Sequence, residues 1–305
     1  MKKTRLDVYL AGQHLEQSRS EIQRMITNGF ILVNGEPRKP SYLLKGGEKI
    51  EVKRRSPPPP PAGPEAIPLD LLHEDEAIIV INKPAGLVVH PATGNYSGTL
   101  VNALLHHLQK KNLPPELSRC GLVHRLDKGT SGVMVIAKTE EAQRDLANQF
   151  KNRVVEKTYL ALVFGPVAKK EGRIEIPIGR DQQHRRKFSS RSRYTRQATT
   201  LYRVKKEFNR LSLLEVFPKT GRTHQIRVHL SEIGHPIVGD IHYGAKSRLS
   251  TIKDEENRNI LEQMTRPFLH AASLSFVHPS HHNRVSFSAP LPLELQHILD
   301  LVSAD

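Results

Sequence analysis

The hydrophobic pattern divides the chain into a short first part and a longer second part, separated by a run of prolines. In residues 1–55, apolar residues at helical spacing are followed by strand-like runs at 30–33 and 49–53, and Asn34-Gly35 is typical of a hairpin turn. Residues 56–64 contain five consecutive prolines, which favour an extended polyproline conformation over a helix. The pattern therefore predicts two folded units joined by a semi-rigid spacer.

Runs of β-branched and aliphatic residues dominate the second part and indicate buried strands. Amphipathic segments with apolar residues every three or four positions indicate helices between them. The predicted strands cover 77–82, 133–137, 157–164, 198–207, 211–217 and 268–271, and the predicted helices include 99–109, a segment that begins after Thr139, and 226–233.

Composition narrows the class of protein. The chain of 305 residues carries a net charge of +15, which indicates a polyanionic partner. Cys120 is the single cysteine, so the sequence excludes a disulfide framework and a cysteine-rich zinc site, and it suits a reducing compartment. There is neither an apolar signal core after Met1 nor a run of ~20 apolar residues, so we expect a cytoplasmic protein without a membrane partner.

The stretch 121–138, G-L-V-H-R-L-D-K-G-T-S-G-V-M-V-I-A-K, begins with apolar residues, continues with a charged segment and a tight turn, and ends with an apolar run. Arg125 and Asp127 thus lie on a loop held between rigid elements, a position that often carries function. Alternatively, Asp127 is only a turn former that bonds its own backbone. The stretch is neither a nucleophile elbow nor a phosphate-binding P-loop, because the required G-x-S-x-G and Gly-Lys-Ser/Thr patterns do not occur in it.

Residues 179–197 form a strongly basic segment, with seven Lys and Arg residues against Asp181 and with Phe188 and Tyr194 interleaved. Cations that pair with phosphates, together with rings that stack on unpaired bases, are typical of RNA binding. The alternative is a solvated hairpin without order until RNA arrives.

The string H-R-L-D-K-G-T-S-G at 124–132 resembles the signature of the RluA/RluD-type ribosomal large-subunit pseudouridine synthases. Three further strings are similar to that family: V-I-N-K-P-A-G-L-V-V-H-P at 80–91, K-T-Y at 157–159 and K-T-G-R-T-H-Q-I-R-V-H-L at 219–230. The resemblance implies that Asp127 and Tyr159 are catalytic and that Arg227 pairs with Asp127. Arg222 and His224 are expected to hold the turn or an RNA phosphate.

The first part resembles the RNA-binding domain of ribosomal protein S four in R-L-D-V-Y-L-A, S-R-S-E-I-Q-R-M-I and L-V-N-G. That likeness implies that Arg19 and Arg24 face RNA phosphates, although a solvated helix face would look the same. The basic segment resembles a finger-like insertion that grips RNA in relatives, which adds Arg185, Arg186 and Lys187 as candidate contacts. Arg125 would fill the gap that an extruded uridine leaves.

The resemblance implies an α+β fold in which a mixed, largely antiparallel sheet holds a central cleft, preceded by a small α/β RNA-binding domain. We expect domains at 1–55 and 69–305 with a linker at 56–68. The expected activity is isomerisation of uridine to pseudouridine in structured RNA, in which one carboxylate suffices as nucleophile or as base and neither cofactor nor metal is needed. The expected substrate is large-subunit ribosomal RNA, with transfer RNA as an alternative.

Two rival functions remain from the sequence. A non-catalytic RNA-binding or ribosome-assembly protein would share the basic charge, but it would not need Asp127 on an otherwise basic loop. An N-glycoside hydrolase would use two carboxylates that flank the bond to be cleaved. The string G-H-P-I-V-G-D at 234–240 is also similar to the family, and its Asp240 is the other acidic residue within the motifs, which we expect to be structural.

Overall fold

The structure is a computed structural model, and it describes residues 4–13, 18–52, 63–91, 95–110, 121–182, 184 and 187–303. The chain divides into two compact units, Met1–Pro61 and Ala62–Asp305. The proline run at 57–61 and Cys120 lie outside the described residues, as do Arg185 and Arg186. No helix of the described part is both long and apolar enough to cross a bilayer.

The first unit packs two helices against a three-stranded antiparallel sheet. Its elements are α1 (Leu6–Ala11), α2 (Arg19–Thr27), β1 (Ile31–Val33), β2 (Glu36–Pro37) and β3 (Ile50–Val52), and the strand order is β2-β1-β3. Ser18 and Glu21 form a capping box that satisfies the first amides of α2. Asn34 and Gly35 both have positive φ, 51° and 76°, which is the conformation that the predicted hairpin turn requires.

A nine-stranded sheet forms the centre of the second unit. Its strands are β4 (Leu71–Glu74), β5 (Ile78–Lys83), β6 (Ser131–Ala137), β7 (Glu156–Phe164), β8 (Glu171–Glu175), β12 (Thr199–Glu207), β13 (Leu211–Pro218), β14 (Leu269–Val277) and β15 (Arg284–Ser288). Their order is β4-β5-β6-β14-β7-β13-β12-β8, and β15 pairs with β14. The β6–β14 pair is parallel and the other pairs are antiparallel, so the predicted mixed, largely antiparallel α+β fold is confirmed.

Helices cover the sheet and bury its apolar side chains in three clusters. They are α3 (Leu100–Lys110), α4 (Glu140–Asn152), α5 (Gln225–Glu232), α6 (Ala245–Arg248), α7 (Glu255–Glu262) and α8 (Leu293–Ser303), with a 3-10 turn at Leu249–Thr251. Thr139 is the N-cap of α4, and its side chain accepts a hydrogen bond from the Ala142 amide, as the sequence predicts. Every residue of β6 is buried, which explains its unbroken apolar run.

The basic segment forms a separate three-stranded antiparallel sheet, which we call the finger sheet. It consists of β9 (Ile178–Arg180), β10 (Phe188–Ser189) and β11 (Thr195–Arg196), in the order β10-β9-β11. The described part of the segment is therefore more regular than the sequence alternative of a hairpin without order. Phe188 is half-buried, whereas Tyr194 is 78% exposed, so the two interleaved aromatic residues have different environments.

Candidate active site

Asp127 lies on the loop that leads into β6, and backbone hydrogen bonds fix that loop on both sides of it. The Thr130 amide donates to the Asp127 carbonyl at 3.0 Å and closes the turn. The Gly86 amide donates to the Lys128 carbonyl at 2.7 Å and ties this turn to the loop after β5. The carboxylate itself is 19% exposed, so it is held at the surface of a cleft.

His124 anchors the same loop to the strand that follows it. Its Nε2 accepts a hydrogen bond from the Val135 amide at 3.1 Å, and its ring stacks on Phe150 with 4.6 Å between centroids. Burial lowers the pKa of His124 to about 3, so the ring is neutral. The geometry therefore makes this histidine a structural support.

Arg227 reaches Asp127 across 100 residues of sequence. Its Nη1 lies 3.4 Å from Asp127 Oδ2, while Nε and Nη2 donate to the two oxygens of Asp240 at 2.6 and 2.9 Å. Asp240 is 1% exposed, so this forked pair is buried and fixes the plane of the guanidinium. The sequence treated Asp240 as structural, and the structure gives it a specific contact, which is orientation of Arg227.

His224 is a second neighbour of Asp127 for which the sequence expected only a turn or phosphate contact. Its Nε2 lies 3.8 Å from Asp127 Oδ2, and its Nδ1 lies 2.7 Å from the hydroxyl of Tyr243. The residue has left-handed backbone geometry, φ 56° and ψ 19°, immediately before α5. Tyr243 also faces Arg227, whose guanidinium carbon is 4.9 Å from the centroid of its ring. The sequence around Tyr243 gives no signal for this role beyond the tyrosine itself.

Tyr159 lies on β7 and lines the same cleft. Burial and the nearby charge of Asp127 raise the pKa of Tyr159 well above its usual value. The side chain is therefore a neutral phenol at neutral pH, with a ring that can pack on a base and a hydroxyl that can donate a proton.

Two cavities meet at Asp127. Their common lining residues are Arg125, Asp127, His224 and Arg227. The larger, of about 1340 Å³, is lined by five Lys or Arg residues and four carboxylates. The smaller, of about 740 Å³, is lined by seven Lys or Arg residues and one carboxylate, that of Asp127: its cations are Arg125, Lys151, Arg153, Lys157, Lys219, Arg222 and Arg227. The smaller cavity thus offers an environment for a polyanion.

Comparison with known proteins shows which family the chain belongs to. The family model for RNA pseudouridylate synthase matches residues 77–232, and an S4 domain model matches residues 4–50. An uncharacterized RNA pseudouridine synthase of Chlorobaculum parvum is 44% identical over 98% of this chain and 94% of its own length. The chain belongs to the RNA pseudouridine synthase family.

Further relatives of this pseudouridine synthase agree with that assignment. Ribosomal large subunit pseudouridine synthase D of Neisseria meningitidis is 42% identical over 98% of this chain and 78% of its own length. The solved structure of human RNA Pseudouridylate Synthase Domain Containing 4 superposes with a TM-score of 0.62 at 29% identity, over 77% of this chain and 93% of that one. The synthase is thus an isomerase that acts on RNA, with an S4 domain in its first unit.

The candidate RNA-binding residues of this synthase have different surroundings. Arg125 is exposed at the junction of the two cavities, and Arg222 lines the smaller cavity while its Nε donates to the Gln197 carbonyl at 3.3 Å. In the S4 domain, Arg19 pairs with the buried carboxylate of Asp7 at 3.0 Å, and Arg24 is 69% exposed. The backbone of Lys187 bonds within the turn that leads to β10. The structure describes neither Arg185 nor Arg186.

One group of side chains in the synthase has the composition of a metal site. The ligand atoms of His73, Asp75 and His278 lie within 4.8 Å of one another. However, Nδ1 of His278 accepts hydrogen bonds from the amides of Ser280 and His281, each at 3.2 Å, so its Nε2 carries the proton and donates to Asp75 at 2.9 Å. A metal at this position would have to displace that proton and the hydrogen bond to Asp75. None of the three side chains lines either cavity.

Proposed function

We propose that this synthase isomerises specific uridines of large-subunit ribosomal RNA, with Asp127 as its catalytic residue. The observation that carries the proposal is the position of the Asp127 carboxylate, 3.4 Å from a buried arginine and at the rim of a cavity rich in cations. The ribosomal substrate rests on the name of the relative from Neisseria meningitidis. Transfer RNA is the alternative substrate.

The reaction breaks the bond between ribose C1′ and uracil N1 and joins C1′ to uracil C5, while a proton moves from C5 to N1. Atoms and electrons balance without a redox step or a group donor. An ionised Asp127 can act as the nucleophile or as the base, and the adjacent Arg227 stabilises its charge. Tyr159, as a neutral phenol, can pack against the uracil and donate a proton.

A uridine within folded RNA must leave its stack to reach Asp127, at a cost of a few kcal/mol. Arg125 is exposed and two residues away from Asp127, so it can occupy the space that the base vacates. Lys157, Lys219 and Arg222 line the smaller cavity and suit the phosphates on either side of the uridine. The S4 domain adds affinity through phosphate contacts of Arg19 and Arg24, and the basic segment adds further contacts through Arg185, Arg186 and Lys187.

The surroundings of the other carboxylates in the larger cavity argue against glycoside hydrolysis. Asp240 pairs with Arg227, Asp70 accepts a hydrogen bond from Asn82, and Glu294 pairs with Arg266. In the two-carboxylate mechanism of glycosidases, a second acid must flank the scissile bond opposite the first. Within the described lining, each of these acids is held by another side chain, and Asp127 is the one carboxylate that lines both cavities, which favours isomerisation at Asp127 alone.

The test is pseudouridine mapping at single-nucleotide resolution across all cellular RNA. Cells that lack the protein are compared with cells restored by the wild type or by Asp127→Ala. We expect sites in large-subunit ribosomal RNA that are lost and then regained only with the wild type.

We also expect purified Asp127→Ala to bind RNA within a few-fold of the wild type, because its basic side chains are intact. Sites that Asp127→Ala restores would refute the role of Asp127, and lost sites in transfer RNA alone would replace the proposed substrate. Free uracil released by the purified wild type would establish a hydrolase.

A further inference from the structure

Tyr243 contacts both neighbours of the Asp127 carboxylate. Its hydroxyl lies 2.7 Å from Nδ1 of His224, and its ring faces the guanidinium of Arg227 at 4.9 Å. Tyr243 is 9% exposed, so these contacts are shielded from water. The two groups that flank Asp127 Oδ2, at 3.4 and 3.8 Å, therefore share one aromatic support.

The positions of the protons follow from the hydrogen-bond partners. The Phe188 amide donates to the Tyr243 hydroxyl at 2.9 Å, and Nε2 of His224 faces the Asp127 carboxylate, so we assign the hydroxyl proton to the bond with Nδ1 of His224. Nδ1 then accepts, so the proton of the neutral ring is on Nε2 and points to the Asp127 carboxylate. Burial raises the pKa of Tyr243 to about 12 and lowers that of His224, which keeps both groups neutral in the presence of Asp127, Arg227, Asp240 and His242.

Phe188 connects this set of contacts to the finger sheet. It lies on β10, its ring meets the His224 ring edge-on at 5.4 Å, and Arg180 of β9 lies 5.6 Å from its centroid. The backbone amide of Phe188, which donates a hydrogen bond to the Tyr243 hydroxyl, belongs to the same short strand. A continuous chain of contacts therefore runs from the basic finger sheet through Tyr243 and His224 to Asp127.

We propose that Tyr243 and His224 are positioning residues, a relay that sets the Asp127 carboxylate according to the placement of the finger sheet. The inference rests on the proposed role of Asp127. Its consequence is that RNA held by the finger sheet stabilises the arrangement in which Asp127 reacts, so that a correct substrate speeds the chemical step. The relay contributes to the rate and not to the affinity, because Tyr243 and His224 hold protein groups and carry no charge that RNA phosphates would attract.

Replacement of Tyr243 by Phe tests the relay by removing one hydroxyl and keeping the ring beside Arg227. Misplacement of a reacting group by a fraction of an ångström to one ångström costs up to about 100-fold in rate. We expect Tyr243→Phe to lower the single-turnover rate constant on the mapped RNA by about 10- to 100-fold and to leave its Kd within about twofold. Tyr202→Phe is the matched control, since Tyr202 is 8% exposed in β12 and lines neither cavity. An unchanged rate in Tyr243→Phe, or an equal loss in Tyr202→Phe, would overturn the proposal.

A pair of substitutions at His224 separates the relay from the backbone. Gln can offer an N–H donor at the position of Nε2, whereas Asn is too short to reach Asp127 but tolerates left-handed geometry better. We expect His224→Gln to keep more of the single-turnover rate than His224→Asn, with equal RNA affinity in both. The reverse order would show that only the backbone conformation matters and would overturn the relay. Activity of Asp127→Ala in the same assay would instead overturn the proposed function.

Discussion

Lys157 is half-buried in the wall of the smaller cavity, whereas Arg125, Lys151, Arg153 and Lys219 of the same cavity are exposed. It has no hydrogen-bond or ion-pair partner among the described residues, and Lys219 lies close enough to repel it. Burial and the charge of Lys219 lower the pKa of Lys157 to about 8. An unpaired ammonium beside a second cation is suited to hold an anion, which in this cleft would be an RNA phosphate.

The lowered pKa predicts how RNA affinity depends on pH. Lys157 is charged below about pH 8 and becomes neutral above it, so its attraction for phosphate is lost as pH rises through that value. Arg keeps its charge over this range. We expect the Kd of the wild type to rise between pH 7 and 9 more steeply than that of Lys157→Arg, measured by fluorescence anisotropy at constant ionic strength. Lys151→Arg, at an exposed lysine of the same cavity, serves as the control and should follow the wild type. Parallel pH curves for wild type and Lys157→Arg would contradict the prediction.

Some of the residues around Asp127 could be identified from the sequence, and others could not. The resemblance named Asp127, Tyr159 and Arg227, and the structure brings all three to one cleft. The contacts of Asp240 and Tyr243 were not predicted, because their partners lie 13 to 19 residues away, beyond any local pattern, and neither residue type is unusual at a turn. Only the folded chain shows that both contact Arg227.

Among the elements, the parallel pair β6–β14 places a tight backbone constraint next to the site. Gly132 pairs with Ala271, and φ of Gly132 is 119°, a conformation that other residues rarely adopt. A Cβ atom at this position would lie 2.2 Å from the Ala271 carbonyl oxygen. Glycine is therefore required here so that two strands can meet directly behind the Asp127 loop.

Replacement of Gly132 by Ala should destabilise the second unit. The unfavourable φ alone costs about 1–3 kcal/mol, and the contact with Ala271 adds to it because the strands must move apart. We expect a lower Tm and a lower denaturant midpoint, monitored by circular dichroism. Gly221→Ala is the matched control, since a Cβ there would meet nothing within 4 Å and its φ lies outside the positive range. Equal stability of the two variants would contradict this account of the strand pair.

The elements that sequence predicted best are those with a strong burial pattern. The β-branched run of β6 and the cap at Thr139 gave correct strands and helix starts because burial and capping act locally. The finger sheet was not predicted as a sheet, because its short strands carry few apolar residues. Phe188 is held by contacts with His224 and Tyr243, which the sequence pattern does not reveal.

Across the whole molecule, positive charge is present in both units. Residues 1–55 contain twelve Lys and Arg residues against six Asp and Glu residues, a net charge of +6 out of the total of +15. Within the S4 domain, Arg5 and Arg19 both contact Asp7, one of the six acidic residues in that sum. Asp127, Tyr159 and Arg227 all belong to the second unit. We therefore expect the first unit to contribute to RNA affinity and the second unit to carry out the chemistry.

Deletion of residues 1–55 tests that division of labour. We expect weaker RNA binding and a shallower dependence of log K on log salt, because each lost phosphate contact removes about 0.7–0.9 from the slope. The single-turnover rate at saturating RNA should stay within a few-fold of the wild type, since the second unit holds the proposed catalytic residues. Asp127→Ala provides the opposite control, with binding and salt slope retained and turnover lost. Unchanged affinity together with an unchanged salt slope would refute an RNA-binding role for the S4 domain, and loss of turnover at saturation would show that this domain also places the uridine at Asp127.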